Sequence, residues 1–140
     1  MEANKAITVQ VVVSTDIKKA WFFFTDPSSI TRWNFASPDW CCPGAVNDLK
    51  VGGALSYRME ARDGSAGFDF SGKYTEILPL SKISFELDDG RQVSVEFRQE
   101  GKQTGVIETF ETEDENSAEL QRSGWQAILN NYKKYVEENP

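Results

Sequence analysis

The 140-residue sequence predicts an α+β fold in which a curved antiparallel sheet of about seven strands is covered by a long C-terminal helix. Alternating apolar runs of strand length, separated by turn residues, indicate the sheet. Two short helical patterns follow the first of these runs, and the last segment changes to helical spacing throughout. The predicted element order is β-α-α-β(six)-α, and residues 1–140 are expected to form a single domain.

One strand and two short helices are predicted at the N-terminal end. Residues 5–13 are rich in β-branched side chains and partly alternate, which indicates a strand. Residues 14–16 (Ser-Thr-Asp) can cap a helix, in which apolar residues recur three and four positions apart as Ile17, Ala20, Trp21 and Phe24. Residues 26–29 (Asp-Pro-Ser-Ser) end this helix and can cap a second one that runs to about Trp33.

Six strand-length runs fill the middle of the chain, separated by the turn signals Gly52-Gly53, Asp63-Gly64, Pro79, Asp89-Gly90 and Gly101. The runs cover residues 45–51, 54–61, 67–77, 82–87, 91–99 and 104–113. Short turns join antiparallel neighbours, so these strands are expected to pair in sequence order.

The last segment predicts an amphipathic helix that covers one face of the sheet. Asn116 and Glu119 have the spacing of a capping box. A single apolar stripe follows over about six turns, formed by Trp125, Ile128, Leu129, Tyr132 and Val136. Alternation in the strands supplies an apolar face for it, as in the run Leu55, Tyr57 and Met59.

Composition excludes several classes of function. The chain lacks histidine, so a Ser-His-Asp or Cys-His catalytic arrangement is excluded, and two adjacent cysteines cannot supply a structural zinc site. We therefore expect no metal and no cofactor. The net charge of −7 argues against nucleic-acid binding. No membrane-spanning run or secretory signal is visible, and with only two cysteines we expect a cytoplasmic protein.

Five ordered motifs make the chain resemble the bacterial START-like proteins of the SRPBCC superfamily that are related to the activator of the ninety-kilodalton heat-shock-protein ATPase. The motifs are the segment from Trp33 to Pro43, DLKVGG at 48–53, LSYRM at 55–59, GKYTEI at 72–77 and GWQAILNNYKKY at 124–135. The resemblance implies a helix-grip fold with an apolar cavity between the sheet and the long helix. It also implies binding of small hydrophobic molecules, with no assigned reaction. The second domain with which the eukaryotic namesake engages the chaperone does not fit in this chain, so co-chaperone activity is not expected to carry over.

The stretch WNFASPDWCCPG at residues 33–44 is interpreted as a loop because of its prolines and its lack of periodicity. Trp33, Phe35 and Trp40 either seal one end of the core or form the mouth of the cavity, and both roles are compatible with a lid. Cys41 and Cys42 are interpreted as two small buried apolar side chains. A disulfide between adjacent residues would need a distorted ring, and a catalytic thiolate lacks a histidine partner.

Glu108 is the first candidate for a polar group inside the cavity. It shares a strand face with Val106 and Phe110, so if those residues point inward the carboxyl does too. A buried carboxyl would have a raised pKa and could act as an acid or base, or bind a polar group of a ligand. The alternative is a solvated strand residue. Arg58 and Glu60 share the opposite face of their strand and are expected to meet solvent or each other.

We hypothesise that the chain binds a small apolar or amphipathic molecule, such as a lipid or an aromatic metabolite. The candidate cavity residues are Trp33, Phe35, Trp40, Tyr57, Met59, Tyr74, Phe85, Phe97, Glu108, Phe110, Trp125, Leu129 and Tyr132. One alternative is a metal-free enzyme, such as a cyclase, hydratase or hydrolase, that uses cavity carboxyl and tyrosine groups. Another is a protein-interaction role, including chaperone regulation or self-association. Two converging polar groups in the lining would favour catalysis, and an apolar lining would favour carriage.

Overall fold

The computed structural model describes residues 6–139, which form seven strands and three helices. The strands are β1 (Ala6–Val13), β2 (Trp40–Asn47), β3 (Ala54–Ala61), β4 (Gly67–Leu78), β5 (Lys82–Leu87), β6 (Gln92–Glu100) and β7 (Gln103–Glu111). The helices are α1 (Ile17–Thr25), α2 (Pro27–Trp33) and α3 (Ala118–Glu138). This confirms the predicted fold class and element order. Lys5, the first residue of the first predicted strand, lies outside the described residues.

The strands form one antiparallel sheet in the order β1-β7-β6-β5-β4-β3-β2. Strands β2 to β7 are neighbours in sequence order, as their short turns predict, and β1 pairs with β7 along its whole length from Ala6↔Glu111 to Val13↔Thr104. The apolar positions alternate as predicted and face α3. They are buried at Leu55 and Met59 of β3, at Ile83, Phe85 and Leu87 of β5, and at Val93, Val95 and Phe97 of β6.

The segment from Trp33 to Gly44 differs from the predicted loop. Trp33 is the last residue of α2, and the chain enters β2 at Trp40, five residues before the predicted strand. The strand tolerates Pro43 because β2 lies at the edge of the sheet, where its register shifts between Cys41 and Gly44. Proline lacks an N–H group, but where the pairing of an edge strand is already interrupted, no regular hydrogen bond between strands is lost.

The helix α3 begins one residue later than the capping box predicts. Ser117 is its N-cap, and the Ser117 hydroxyl accepts a hydrogen bond from the Leu120 amide at 3.1 Å. Asn116 is engaged in the preceding loop instead. Its amide donates to the Glu113 carboxylate at 2.8 Å, and its carbonyl accepts from the Gln121 side chain at 2.8 Å. Asn116 thus helps to hold the loop between β7 and α3.

Polar side chains of α3 also bind the free edge of β1. Arg122 donates to the Thr8 carbonyl at 3.3 Å and Gln126 donates to the Gln10 carbonyl at 3.3 Å. Lys133 donates to the Val12 carbonyl at 2.5 Å. Alternate residues of an edge strand point their carbonyls away from the sheet, so this series satisfies acceptors that lack a neighbouring strand.

Candidate functional site

A cavity of about 230 Å³ lies between the concave face of the sheet and α3. Half of its lining residues are aromatic, and most of the others are aliphatic. The lining consists of Phe24, Trp33, Asn34, Tyr57, Met59, Phe68, Phe70, Ile83, Phe85, Arg91, Glu108, Trp125, Ile128 and Leu129. A volume of this kind forms because one straight helix cannot fill the concave side of a curved sheet.

An aromatic cluster closes the inner end of the cavity. Phe24 and Trp33 both contact the ring of Tyr132, with centroids 5.2 Å and 5.1 Å away. The Tyr132 hydroxyl donates to the Ala20 carbonyl at 2.6 Å, and the Trp33 indole donates to the Phe23 carbonyl at 2.9 Å. These bonds tie α1, α2 and α3 together, so the closed end is rigidly packed.

The junction of α1 and α2 places Trp33 at this end. Asp26 is at once the C-cap of α1 and the N-cap of α2, and its carboxylate accepts from the Ser29 amide at 3.0 Å. Pro27 follows at the first helical position of α2, where a missing N–H is harmless. The sequence Asp-Pro-Ser-Ser therefore starts α2 immediately after α1 ends and directs its last residue into the core.

Trp125 forms a wall of the cavity from the helix side. Its indole stacks on Phe110 of β7 with centroids 4.1 Å apart, and it meets the edge of Phe70 at 5.9 Å. Ile128 and Leu129, three and four residues further on, continue the same wall. Phe110 is fully buried beneath Trp125, so it supports the wall without lining the cavity.

The mouth of the cavity lies beyond the end of β5. The last pair between β4 and β5 is Gly72↔Leu87, so the first residues of β4 extend past β5. Phe68 is 51% exposed on this extension. Arg91 reaches the lining from the turn between β5 and β6, where its guanidinium pairs with Asp89 at 2.8 Å.

Carboxylates dominate the surface around this mouth. Arg91 and Phe68 also border a shallow hollow that contains Asp69, Asp88 and Asp89. Arg91 borders a second hollow with Asp89, in which the remaining residues are Glu113, Asp114 and Glu115. The two hollows are therefore lined by six acidic side chains and one basic side chain, and one of the acids, Asp69, is paired with Arg58 at 3.4 Å.

Glu108 supplies a carboxyl inside the apolar cavity. It is 8% exposed, between the fully buried neighbours Val106 and Phe110 on the same face of β7. Burial alone raises the pKa of Glu108 from its ordinary value to about 8. Strand alternation therefore places an acid that is mostly protonated at neutral pH in the cavity lining.

Two neutral polar side chains share the lining with Glu108. Asn34, the C-cap of α2, donates to the sulfur of Met59 at 3.3 Å and lies 3.9 Å from the sulfur of Cys42. Tyr57 lies on β3, and burial raises the pKa of its hydroxyl well above the ordinary value. The hydroxyl therefore stays protonated and can exchange hydrogen bonds with a ligand.

Seven of the thirteen predicted cavity residues line the cavity: Trp33, Tyr57, Met59, Phe85, Glu108, Trp125 and Leu129. Four others, Tyr74, Phe97, Phe110 and Tyr132, are buried in the surrounding core. Phe35 and Trp40 are half-buried outside the lining. Phe35 packs beneath the guanidinium of Arg62 at 5.8 Å, and Trp40 lies beside Phe68 with ring centroids 6.0 Å apart. The aromatics of the 33–44 segment therefore separate, because only Trp33 belongs to α2 and points inward.

Sequence reasoning missed Phe24, Asn34, Phe68, Phe70, Ile83, Arg91 and Ile128. Alternation could have found two of them, because Phe68 and Phe70 pair across strands with the predicted residues Met59 and Tyr57. Ile128 was already on the predicted helix stripe. Asn34 and Arg91 carry no periodic signal, since one caps a helix and the other lies beside a turn.

The cysteines and the exposed ion pair can be compared directly with their predicted environments. Both thiols are free, but only Cys42 is buried, whereas Cys41 is half-buried, so the expectation of two buried side chains is wrong for Cys41. The reason is that successive residues of β2 face opposite sides of the sheet. Burial raises the pKa of the Cys42 thiol. Arg58 and Glu60 pair with each other at 2.8 Å, as predicted.

Within residues 6–139, no group of three or more acidic or cysteine side chains is arranged to hold a metal ion. None of the helices in the same range has the length and apolar character needed to cross a membrane.

Comparison with known proteins gives consistent matches. Residues 14–137 match the family described as "Activator of Hsp90 ATPase homolog 1-like protein". The solution structure of an AHSA1-like protein from Aeromonas hydrophila is 43% identical, with a TM-score of 0.90 over 96% of this chain and 93% of that chain. A solution structure from Cytophaga hutchinsonii is 45% identical, with a TM-score of 0.82 over 95% of this chain and 92% of that chain. A crystal structure from Chromobacterium violaceum shares the fold at 21% identity, with a TM-score of 0.85 over 95% and 98% of the two chains. Among curated proteins, none matches this sequence.

Proposed function

The chain belongs to the family of Activator of Hsp90 ATPase homolog 1-like proteins, and from this premise we propose that it binds a small hydrophobic molecule in the cavity beneath α3. The observation that carries the proposal is the cavity itself, about 230 Å³ in volume and lined mainly by aromatic and aliphatic side chains. Concave apolar cavities with a few polar groups are the usual form of small-molecule sites.

The volume limits the size of the ligand. An apolar cavity of about 150 Å³ can hold one benzene molecule. A cavity of about 230 Å³ therefore accommodates one aromatic ring with a short side chain, or a short acyl segment. A longer molecule would have to extend through the mouth beside Phe68, which is half exposed there.

The test compares ligand binding by the wild type with binding by a variant in which a larger side chain fills part of the cavity. Native mass spectrometry of protein purified under mild conditions should show a bound molecule, and small aromatic compounds should raise the melting temperature. Ile128→Phe fills part of the cavity from α3 and should weaken both effects. Leu120→Phe is the matched control, because Leu120 is 59% exposed on the same helix and lies outside the cavity lining. Failure of small aromatic compounds to bind, or equal binding by both variants, would contradict the proposal.

A second candidate function is acid-base catalysis on the bound molecule. Glu108, Tyr57 and Asn34 converge on one cavity, and the Glu108 carboxyl with a pKa of about 8 can both donate and accept a proton near neutral pH. A reaction would be shown by conversion of the molecule that copurifies with the protein. Glu108→Gln should abolish that conversion, and Glu119→Gln, at the exposed start of α3, should not. Recovery of the molecule unchanged after long incubation favours binding alone.

A further inference from the structure

We propose that the preferred ligand is an apolar, aromatic molecule with one basic nitrogen, whose ammonium group pairs with the carboxylate of Glu108 inside the cavity. This inference rests on the proposed binding function and specifies its ligand. It depends on three features of the structure: an unpartnered carboxyl, an aromatic lining and an acidic mouth.

The Glu108 carboxyl has no partner among the described residues. Its pKa reflects burial alone, without a hydrogen bond or a neighbouring charge that would favour the ionised form. Its cross-strand neighbours are apolar, Val9 on β1 and Val95 on β6. Among the described residues no fully buried side-chain oxygen or nitrogen lacks a partner, so the Glu108 oxygens are accessible from the cavity as free acceptors. A ligand that donates N–H bonds can use these acceptors.

The other elements that face Glu108 bring few groups that titrate. Strand β3 contributes Tyr57, whose hydroxyl stays protonated. The wall from α3 is apolar, and so are the lining residues of α1, β4 and β5. Arg91, at the mouth, is the one charged side chain that shares the lining with Glu108 in the described part of the chain, and it is paired with Asp89. Glu108 is therefore free to pair with a ligand cation.

The aromatic lining also favours a positively charged ligand. Phe70 contacts the rings of both Tyr57 and Trp125, with centroids 6.0 Å and 5.9 Å away. The faces of such rings attract an ammonium group, and the attraction increases when water is excluded. An anionic ligand would meet both these faces and the Glu108 carboxylate, so the lining disfavours it.

The acidic mouth steers a cation toward the cavity. Two hollows beside the mouth are lined by one basic residue, Arg91, and by six acidic residues, of which Asp69 is paired with Arg58 at 3.4 Å. The acidic residues are Asp69, Asp88, Asp89, Glu113, Asp114 and Glu115. The net charge of the whole chain is −7. A concentration of one sign of charge at an entrance raises the local concentration of the oppositely charged ligand and its association rate.

Binding of an ammonium ion must release one proton. At pH 7 most molecules carry a proton on Glu108, because burial raises its pKa to about 8. The O–H bond breaks, the proton leaves to solvent, and the carboxylate accepts N–H hydrogen bonds from the bound ammonium, which keeps its own proton. The nearby cation lowers the pKa of Glu108 in the complex. Affinity should therefore increase about tenfold for each pH unit below the pKa of the free site and level off above it.

The experiment compares three probes of similar size by isothermal titration calorimetry. These are 2-phenylethylamine, the neutral propylbenzene and the anionic 3-phenylpropanoate. We expect 2-phenylethylamine to bind about 50-fold more tightly at pH 8 than at pH 6, as follows from the ionised fraction of a group with a pKa of about 8. Titrations in buffers of different ionisation enthalpy should show close to one proton released per amine at pH 6. Propylbenzene should bind with little dependence on pH.

Two variants connect the result to Glu108. Glu108→Gln should remove the pH dependence and the preference for the amine over propylbenzene. Glu119→Gln removes an exposed acid from α3 and should leave both unchanged. Binding of propylbenzene without preference for the amine, or a preference for the anion, would overturn this inference and leave the proposed function standing. Failure of all three probes to bind would overturn both.

Discussion

Trp125 of α3 stacks on Phe110 of β7, with ring centroids 4.1 Å apart and ring planes inclined by 7°. The pair joins the helix to β7, the strand next to the β1 edge of the sheet, and forms the boundary between the cavity and the core. Phe110 is fully buried beneath the indole.

Trp125→Ala should destabilise the protein by about 3 kcal/mol, because it removes a large aromatic side chain and leaves a void over Phe110. The measurement is urea unfolding at constant pH. Leu120→Ala, on the exposed side of the same helix, should change stability by less than about 0.5 kcal/mol. Equal effects of the two substitutions would show that the stacked pair does not hold the helix to the sheet. A Trp125→Ala protein should also accept larger aromatic compounds, since the cavity gains the volume of the indole.

Glu108 should make stability depend on pH between about pH 4.5 and pH 8. Its pKa in the native state is raised from an ordinary 4.5 to about 8, so the native state binds a proton that the unfolded state has lost. The stabilisation is complete below pH 4.5 and is lost as the pH rises through 8, with a slope of about 1.4 kcal/mol per pH unit.

The check is the difference in free energy of unfolding between the wild type and Glu108→Gln, measured by urea unfolding from pH 5 to pH 9. As the pH rises, the free energy of unfolding of the wild type should fall relative to that of Glu108→Gln, and the difference should become constant above pH 8. Parallel profiles for the two proteins would mean that Glu108 is solvated in solution.

Asn47 connects α1 to the sheet through two hydrogen bonds. Its side-chain amide donates to the Thr25 carbonyl at 2.6 Å, and its side-chain oxygen accepts from the Tyr74 hydroxyl at 2.5 Å. Asn47→Ala should cost about 2 kcal/mol, and Tyr74→Phe, which removes one of the two bonds, about 1 kcal/mol. Asn130→Ala removes an exposed bond to Gln126 and serves as the control, with a change within about 0.5 kcal/mol. If Asn47→Ala behaves like Asn130→Ala in thermal unfolding, the junction does not depend on this bridge.

The two adjacent cysteines should differ in reactivity. Cys42 is 2% exposed and burial raises the pKa of its thiol, whereas Cys41 is half-buried on the other face of β2. Thiolate access governs alkylation, so Cys41 should react with a maleimide first and Cys42 only on unfolding. Cys41→Ser should abolish the fast reaction in the native protein, and Cys42→Ser should leave it intact. Fast alkylation of Cys42 with protection of Cys41 would contradict the prediction, because it would mean that Cys42 is the more accessible thiol.

The sequence was sufficient to predict the sheet, because alternation determines which side chains face inward. The same parity identified Glu108, which lies between Val106 and Phe110 on an inward face of β7. Residues outside regular periodicity were harder to place. Pro43 indicated a loop, yet the register shift at the sheet edge accommodates it in a strand. Arg91 reaches the cavity from a turn, and no spacing in the chain encodes that approach.

The contacts at the two sides of the sheet have a consequence for the behaviour of many copies at high concentration. On one side, Arg122, Gln126 and Lys133 occupy the outward carbonyls of β1. At the opposite edge, Pro43 has no N–H group to donate from β2, at a point where the pairing with β3 is already irregular. Neither edge of the sheet presents an unbroken row of main-chain donors and acceptors, so both edges are poor templates for the addition of a strand from another molecule.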